Sequence, residues 1–164
     1  MQFDPGEKSA YSNFGYCLLG RVVERSTGKC YFDALDERIL KPAGIVDVRL
    51  GYAALKQRDP REPDYAPGED DFDLDVMDAH GGLIASAPAV CEMFACYWID
   101  GTPRKAGERQ NWAFMGSLPG TTALIRQDVG WDVCLLFNGR RDKTLEEDAR
   151  RLLKSVDQAL KDTR

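Results

Sequence analysis

The sequence predicts an α+β fold, in which a mainly helical and loop part precedes a three-stranded antiparallel meander and a closing helix. In the first part and at the end of the chain, apolar residues recur at helical spacing. Between them, residues 112–138 form three short runs rich in β-branched and aromatic residues. We expect a single domain over residues 1–164, with helices and loops in 1–110 and the strands and closing helix in 111–164.

The composition is that of a globular protein, with 43% hydrophobic and 30% charged residues. The formal net charge of −5 argues against nucleic acid as a partner, because phosphate binding requires a basic face. No apolar run approaches the roughly 20 residues that cross a membrane, and the N-terminal residues lack the pattern of a signal peptide. We therefore expect no membrane span, and the sequence assigns no compartment.

Cysteine, histidine and acidic residues give no sign of a metal or cofactor site. The five cysteines are scattered and include no C-x-x-C pair, so neither a disulfide framework nor a zinc site is predicted. His80 is the only histidine, and we expect it to be structural. The acidic run at 71–75 begins like a calcium loop, but Val76 stands where the EF-hand needs glycine. We expect no metal ion and no cofactor.

Three helices are predicted before residue 100. The first covers about residues 12–25, with Ser12 or Asn13 as its N-cap. The second covers about residues 31–40, and the third covers about residues 87–98. Each carries apolar residues on one face, so each should pack against the rest of the domain.

Three strands and a helix are predicted after residue 110. The strands cover residues 112–117, 121–127 and 131–138, and turn residues separate them. The closing helix begins at the capping box Thr144-x-x-Glu147. It carries an apolar stripe, which should lie across one face of the sheet.

The candidate functional residues Tyr11 and Asn13 lie where a loop turns into the first helix. A tyrosine can act as a general base when nearby cations lower its pKa, and an asparagine amide can donate to a substrate carbonyl. A capped helix that carries a surface tyrosine would show the same two residues. On composition alone this second interpretation is favoured.

Three stretches change that balance: Tyr-Ser-Asn-Phe-Gly-Tyr at 11–16, Asp-Ala-His-Gly-Gly-Leu-Ile-Ala-Ser at 78–86 and Gly-Ser-Leu-Pro-Gly-Thr at 116–121. Together they resemble the serine β-lactamase-like family, which includes class C β-lactamases, penicillin-binding DD-peptidases and related esterases. The resemblance spans nearly the whole chain. It implies an incomplete β-lactamase/transpeptidase-like fold, of which this sequence holds the C-terminal part.

The resemblance also implies roles for individual residues. In that family a serine and a lysine in S-x-x-K supply the nucleophile and its base, Tyr-x-Asn transfers a proton and holds substrate, and a K-T-G or H-x-G strand flanks the acyl group. Tyr11 and Asn13 match Tyr-x-Asn and are expected to be catalytic. Gly116 and Ser117 match the flanking strand and are expected to bind substrate. Phe114 stands at the basic position of that strand, where it can neither donate a proton nor hold a carboxylate.

The S-x-x-K element is not found in its expected place. The family carries it on a helix many residues before Tyr-x-Asn, whereas ten residues precede Tyr11 here. The literal match at residues 26–29 is rejected, because it falls at the end of a predicted helix and Gly28 interrupts the turn between serine and lysine. We therefore expect the nucleophile to lie outside this chain.

Two functional hypotheses follow. The chain is either a serine-hydrolase domain that acts on a β-lactam, peptide or small ester once a nucleophile-bearing segment completes it, or a non-catalytic binding or structural remnant of that fold. For the isolated chain we expect no activity. The resemblance implies that the absent segment adds strands beside residues 131–138, so this strand should form an exposed edge. We therefore expect self-association, or pairing with an N-terminal segment.

Overall fold

The helices agree with the predicted order, although the second is broken into pieces. The structure is a computed structural model that describes residues 3–62, 74–105, 112–128, 130–139 and 144–162. Its α-helices are α1 (Asn13–Thr27), α2 (Tyr31–Leu35), α3 (Lys41–Ala43), α4 (Ala87–Cys96) and α5 (Leu145–Asp162). No helix within these ranges is long and apolar enough to cross a membrane.

The strands form two antiparallel sheets within the described residues. They are β1 (Val48–Leu50), β2 (Leu83–Ala85), β3 (Trp112–Leu118), β4 (Thr121–Asp128) and β5 (Trp131–Phe137). β1 pairs with β2, and the second sheet has the order β3-β4-β5. Ile125 of β4 lies opposite Phe114 on one side and Cys134 on the other. The predicted meander is confirmed, and both β3 and β5 are edges of the described sheet.

The first helix is confirmed in its span, and the structure decides between its two candidate caps. The expectation that its apolar face packs against the rest of the domain is wrong, because Phe14, Leu18, Leu19 and Val22 are exposed. The Ser12 side chain accepts a hydrogen bond from the N–H of Gly15 at 3.1 Å. At the other end Gly28 adopts a φ of 68°, a left-handed conformation that glycine takes without strain. Because Ser12 caps the helix, the side chain of Asn13 is left available for another role.

The second predicted helix is confirmed in its span, but it is not a regular α-helix. Asp36–Leu40 is π-helical and joins α2 to α3, and the N–H of Lys41 bonds to the carbonyl of Asp36. Pro42 follows immediately. Its ring would clash with the carbonyl four residues earlier in a regular α-helix, which explains why the chain widens here.

The small sheet of β1 and β2 is not predicted by the sequence patterns. Each strand has three residues, which is too few to show an alternation of apolar and polar side chains. The N–H of Gly51 bonds to the carbonyl of Gly82 at 2.8 Å and extends the pairing towards the turn before β2. A Cβ atom at Gly82 would overlap the carbonyl of Met77, so only glycine fits there.

A hydrophobic cluster holds the helical part together. Leu40, Ile45 and Ala89 are its buried members, and Phe32, Leu35, Ala43, Val48 and Met93 pack around them. These residues come from the helical stretch from α2 to α3, the loop that follows it, β1 and α4, so the cluster joins elements that are distant in the sequence.

Gln127 joins the sheet to the end of α4. Its side chain is fully buried. Its Oε1 accepts from the N–H of Ile99 at 2.6 Å, and its Nε2 donates to the carbonyls of Tyr97 at 2.8 Å and Phe94 at 3.3 Å. Since the amide satisfies three main-chain groups in a buried place, it fixes the position of β4 relative to α4.

The closing helix α5 is confirmed, and an ion pair between Arg126 of β4 and Asp157 connects it to the sheet. The predicted apolar stripe is half-buried at Leu152, Leu153 and Val156. The hydroxyl of Thr144 bonds to the Asp148 carboxylate at 2.8 Å.

Replacing Gln127 with leucine should lower the free energy of unfolding by about 3 kcal/mol, because the main-chain groups of Tyr97 and Ile99 would lose their buried partner while the Phe94 carbonyl keeps only Arg104. Urea unfolding followed by circular dichroism measures the change. The control is Gln158→Leu, since Gln158 is exposed and bonds to Asp162 at the surface; it should cost less than about 0.5 kcal/mol. Equal losses in the two variants would contradict the role assigned to Gln127.

Candidate active site

The Tyr-x-Asn corner opens α1. The hydroxyl of Tyr11 donates to the amide oxygen of Asn13 at 2.8 Å, and both side chains are exposed. The hydrogen bond shown for the Asn13 side chain in the described part of the chain engages its oxygen, and its amide nitrogen lies at the exposed surface. Tyr11 therefore orients the Asn13 amide so that its N–H groups can bind a ligand.

Strand β3 faces this corner. The ring centroid of Tyr11 lies 6.4 Å from that of Phe114 and 5.6 Å from that of Tyr16. Gly116 and Ser117 follow on β3, and a Cβ atom at Gly116 would meet no atom within 4 Å. The backbone there is open to a ligand. The residues singled out by the resemblance thus meet across one space, and their roles stay predictions.

An open cleft of about 1000 Å³ contains this space. Its walls are the start of α1, the turn before β2, strand β2 and the β3-β4-β5 sheet, together with a group of charged residues described below. Tyr11, Asn13, Phe114, Gly116 and Ser117 all line it. An open cleft that combines apolar walls with a few polar groups is the usual form of a small-molecule site.

Close packing sets the position of α1 beside the cleft. A Cβ atom built at Gly20 would lie 2.7 Å from the Cβ of Ala79, so the helix backbone approaches the turn before β2 closely. Arg21 forms an ion pair with Asp78 in the same turn. These contacts hold the Tyr-x-Asn corner against the residues that lead into β2.

His80 lies in that turn and lines the cleft. Its Nδ1 atom is buried and has no hydrogen-bond partner among the described residues. The sequence-based expectation that His80 is structural is not tested by this placement. The imidazole of His80 nevertheless adds a polar group to the cleft wall.

Four charged residues form a closed ring at one end of the cleft. Arg61 bonds to the two carboxylate oxygens of Asp47 at 2.9 and 3.0 Å and to Asp59 at 2.9 Å. Arg49 contacts the same two carboxylates, Asp47 at 3.1 Å and Asp59 at 2.6 Å. The ring connects the beginning of β1 to the loop around residue 60.

The ring shifts the titration of its acids. The Arg61 guanidinium holds the pKa of Asp47 well below its usual range, with help from Ser86 and Arg49. Hydrogen bonds from Arg61 lower the pKa of Asp59 to about 2. Both carboxylates are therefore charged at neutral pH and remain paired.

Sequence reasoning missed this charged ring and the place of Tyr16 at the cleft. Asp47 precedes a strand too short to be recognised, while Asp59 and Arg61 belong to a stretch that reads as a loop. No periodic pattern connects residues so far apart in the chain. The sequence could have indicated Tyr16 as a cleft residue, because the stretch 11–16 that carries the family resemblance includes it.

The described cleft residues do not include a complete acyl-transfer machinery. None of the described lining residues is a lysine. The Ser86 hydroxyl caps α4 by accepting from the N–H of Ala89 at 3.4 Å. The rejected S-x-x-K match lies at the end of α1, as expected, where Ser26 donates to the carbonyl of Val23 and Lys29 pairs with Glu37. No described group of histidines, cysteines and acids has the arrangement of a metal site.

The fold and cleft define a class of α+β proteins in which a helical layer and an antiparallel sheet enclose a site. D-amino acid amidase from Ochrobactrum anthropi SV3, solved with D-phenylalanine, is similar with a TM-score of 0.70 and 21% identity, over 100% of this chain and 62% of the amidase chain. D-stereospecific amidohydrolase from Streptomyces sp. is similar with a TM-score of 0.59 and 19% identity, over 84% and 52% of the two chains. At these identities the likeness establishes a shared fold.

The family model for β-lactamase matches residues 1–154, and the chain belongs to the β-lactamase family. A probable fimbrial assembly protein FimD of Dichelobacter nodosus is 36% identical over 100 residues, which are 58% of this chain and 25% of the relative. A penicillin-binding protein of Bacillus subtilis is 40% identical over 48 residues, 29% of this chain and 11% of the relative. The chain thus spans about a quarter or less of these curated relatives. The family resemblance and the β-lactamase/transpeptidase-like fold are confirmed.

Acid should weaken the protein through the charged ring. The pKa values of Asp47 and Asp59 are lowered in the folded state, so their stabilising effect is complete above the unfolded value of 3.8 and is lost as pH falls through the folded values. The free energy of unfolding should therefore decrease between about pH 5 and pH 2. Urea unfolding at a series of pH values measures this slope.

The variant Arg61→Gln should flatten that slope, because the carboxylates lose the partner that lowers their pKa values. Lys56→Gln is the matched control, since it removes a positive charge from a nearby loop without touching the ring. An unchanged slope in Arg61→Gln would show that other acids cause the loss.

Proposed function

We propose that this chain provides the Tyr-x-Asn corner and the flanking strand of an acyl-transfer site that hydrolyses small amides or esters. The nucleophilic serine and its lysine would be supplied by a segment outside residues 1–164. The observation that carries the proposal is the 2.8 Å hydrogen bond by which Tyr11 orients Asn13 at the mouth of the cleft, opposite β3.

Each wall has a part in the proposed reaction. The amide N–H groups of Asn13 hold a carbonyl of the substrate. The Tyr11 hydroxyl gives its proton to the departing amine or alcohol and recovers one from the water that hydrolyses the acyl group. Because β3 is an edge of the described sheet, every second N–H group points away from β4. Near Gly116 such a group can stabilise the oxyanion that forms when the nucleophile attacks the acyl carbon.

The relatives support the choice of a small amide as the substrate. A fold neighbour is an amidase that was solved with D-phenylalanine and, in a second structure, with L-phenylalanine amide. Amides of single amino acids are also small enough for a cleft of about 1000 Å³.

The alternative is a non-catalytic binding remnant of the fold. The observations that favour it are Phe114 at the basic position of β3 and the lack of a lysine among the described cleft residues. For residues 1–164 by themselves we propose that ligand binding is retained and turnover is absent. The two hypotheses differ in whether substrate is turned over once the chain is joined to a segment that carries a nucleophile.

The variant Asn13→Ala should weaken binding of D-phenylalanine amide about tenfold, because it removes a hydrogen bond to the substrate carbonyl. Titration followed by NMR measures the dissociation constant in residues 1–164. The control Gln57→Ala removes an exposed amide that does not line the cleft and should leave binding unchanged. No binding by the unaltered chain, or an equal effect of both variants, would contradict the proposal.

Intact-mass measurement after incubation with a penicillin and an activated ester completes this test. The chain should remain unmodified, because the proposed nucleophile lies elsewhere. A stoichiometric acyl adduct on residues 1–164 would overturn that part of the proposal and identify a nucleophile within the chain.

Two surfaces support the proposal that a further polypeptide covers part of this domain. β5 is an edge of the described sheet, with Leu136 and Phe137 exposed near its end. Along α1, apolar side chains that would normally be buried are exposed: Phe14, Leu18, Leu19 and Val22. The proposed occupant is the nucleophile-bearing segment, and in its absence a second copy of the chain.

Residues 1–164 alone should therefore associate at high concentration. Light scattering at increasing concentration measures the mass. The variant Leu18→Lys should reduce association, because it places a charge in the apolar surface, whereas Lys8→Glu, outside that surface, is the control. A monomer at every concentration would contradict the expected self-association.

A further inference from the structure

We infer that the cleft selects a substrate that has an aromatic ring and no carboxylate, which rests on the function proposed above and narrows its substrate class. Two independent observations carry this inference. One is a cluster of exposed aromatic rings at the mouth of the cleft, and the other is the pairing of the cleft's arginines.

The aromatic cluster consists of Tyr11, Tyr16 and Phe114. Their exposed fractions are 67%, 47% and 44%, so each ring leaves much of its surface uncovered. The centroid distances of 5.6 and 6.4 Å from Tyr11 fall within the range of favourable aromatic contacts. A ligand ring placed beside these three side chains would bury apolar surface on all of them and meet rings already arranged at tilted angles.

The cluster also joins the two walls of the cleft. Tyr11 and Tyr16 belong to the start of α1, whereas Phe114 belongs to β3. A ring bound here would lie next to the Asn13 amide, which could hold the neighbouring carbonyl. This arrangement fits an amide or ester whose acyl part carries an aromatic side chain.

The charges of the cleft disfavour a carboxylate. The described lining residues include the two arginines Arg49 and Arg61, and both guanidiniums are bound to Asp47 and Asp59 in the charged ring. Glu62 adds a further carboxylate to the lining. Its Oε1 accepts from the N–H of Asp59 at 2.6 Å. The described lining residues therefore include three acids, which are Asp47, Asp59 and Glu62, and two arginines.

A carboxylate that leaves water needs a cation or several hydrogen-bond donors to replace its hydration. On β3 the basic position is occupied by Phe114, which offers neither. Recruiting Arg49 or Arg61 would break the ring and leave Asp47 or Asp59 without its partner. An amide in place of the carboxylate avoids this cost, and an ammonium group meets a cleft with excess negative charge.

Three ligands separate the two parts of the inference. D-phenylalanine amide has the ring and no carboxylate, D-phenylalanine has both, and D-alanine amide has neither. Dissociation constants are measured by NMR titration of residues 1–164. D-phenylalanine amide should bind about tenfold tighter than either of the others. D-alanine amide lacks the ring contact, and D-phenylalanine carries a carboxylate that the cleft leaves without a cation.

Two variants test the role of Phe114. Phe114→Lys adds a cation at the exposed position and should raise the affinity for D-phenylalanine relative to its amide by about tenfold. Phe114→Leu should weaken both phenylalanine ligands and leave D-alanine amide unchanged. The control Phe137→Leu removes an exposed ring outside the cleft and should alter none of the constants. Circular dichroism verifies that each variant is folded.

The outcomes distinguish this inference from the proposed function. If none of the three ligands binds, both are overturned. If all three bind equally and Asn13→Ala weakens them, the proposed function stands and the selectivity is overturned. A ratio of affinities that Phe114→Lys leaves unchanged would likewise overturn the assignment of selectivity to this position.

Discussion

The cleft depends on the buried hydrogen bonds between Gln127 and the end of α4. A fully buried amide is tolerated only when its donors and acceptor are satisfied, and here three main-chain groups do so at 2.6 to 3.3 Å. Arg104 reinforces the same junction by binding the Phe94 carbonyl at 2.7 Å and Asp132 at 2.6 Å. Since α4 follows directly after β2, this junction sets how far the β2 side of the cleft stands from the sheet.

Each ion pair of the charged ring contributes less to stability than the buried hydrogen bonds of Gln127. Exposed ion pairs contribute about 0 to 1 kcal/mol each, whereas a buried group that loses its hydrogen bond costs about 1 to 3 kcal/mol. The Gln127 junction therefore contributes more to stability than any single ion pair of the ring, while the ring of Asp47, Arg49, Asp59 and Arg61 ties the loop around residue 60 to β1. Both arginines among the described lining residues of the cleft are paired with aspartates in the ring. The same ion pairs that position the loop therefore leave neither arginine free to bind a carboxylate of a ligand.

Much of the fold was predictable because its longer elements have strong local signals. α1, α4, α5 and the β3-β4-β5 meander were predicted within a few residues, since each combines an apolar period with caps or turns. The sheet of β1 and β2 was not, because three-residue strands show no period. Of the site, Tyr11, Asn13 and the strand from Phe114 to Ser117 were found through family motifs. The charged ring was not, because its members meet only through tertiary structure.

Two groups of exposed apolar side chains, one along α1 and one in the cleft, have different surroundings. Phe14 and Leu18 lie on the side of α1 opposite Tyr16, because residues two positions apart are turned by about 160° in a helix, whereas Val22 is turned by about 120° and Leu19 by about 60°. In the proposal above, these side chains form the surface that packs against another polypeptide. Tyr11 instead bonds to Asn13, and its ring lies beside the rings of Tyr16 and Phe114. Apolar rings beside one oriented polar group are characteristic of a ligand site. The proposed packing surface and the proposed ligand site therefore both include residues of α1.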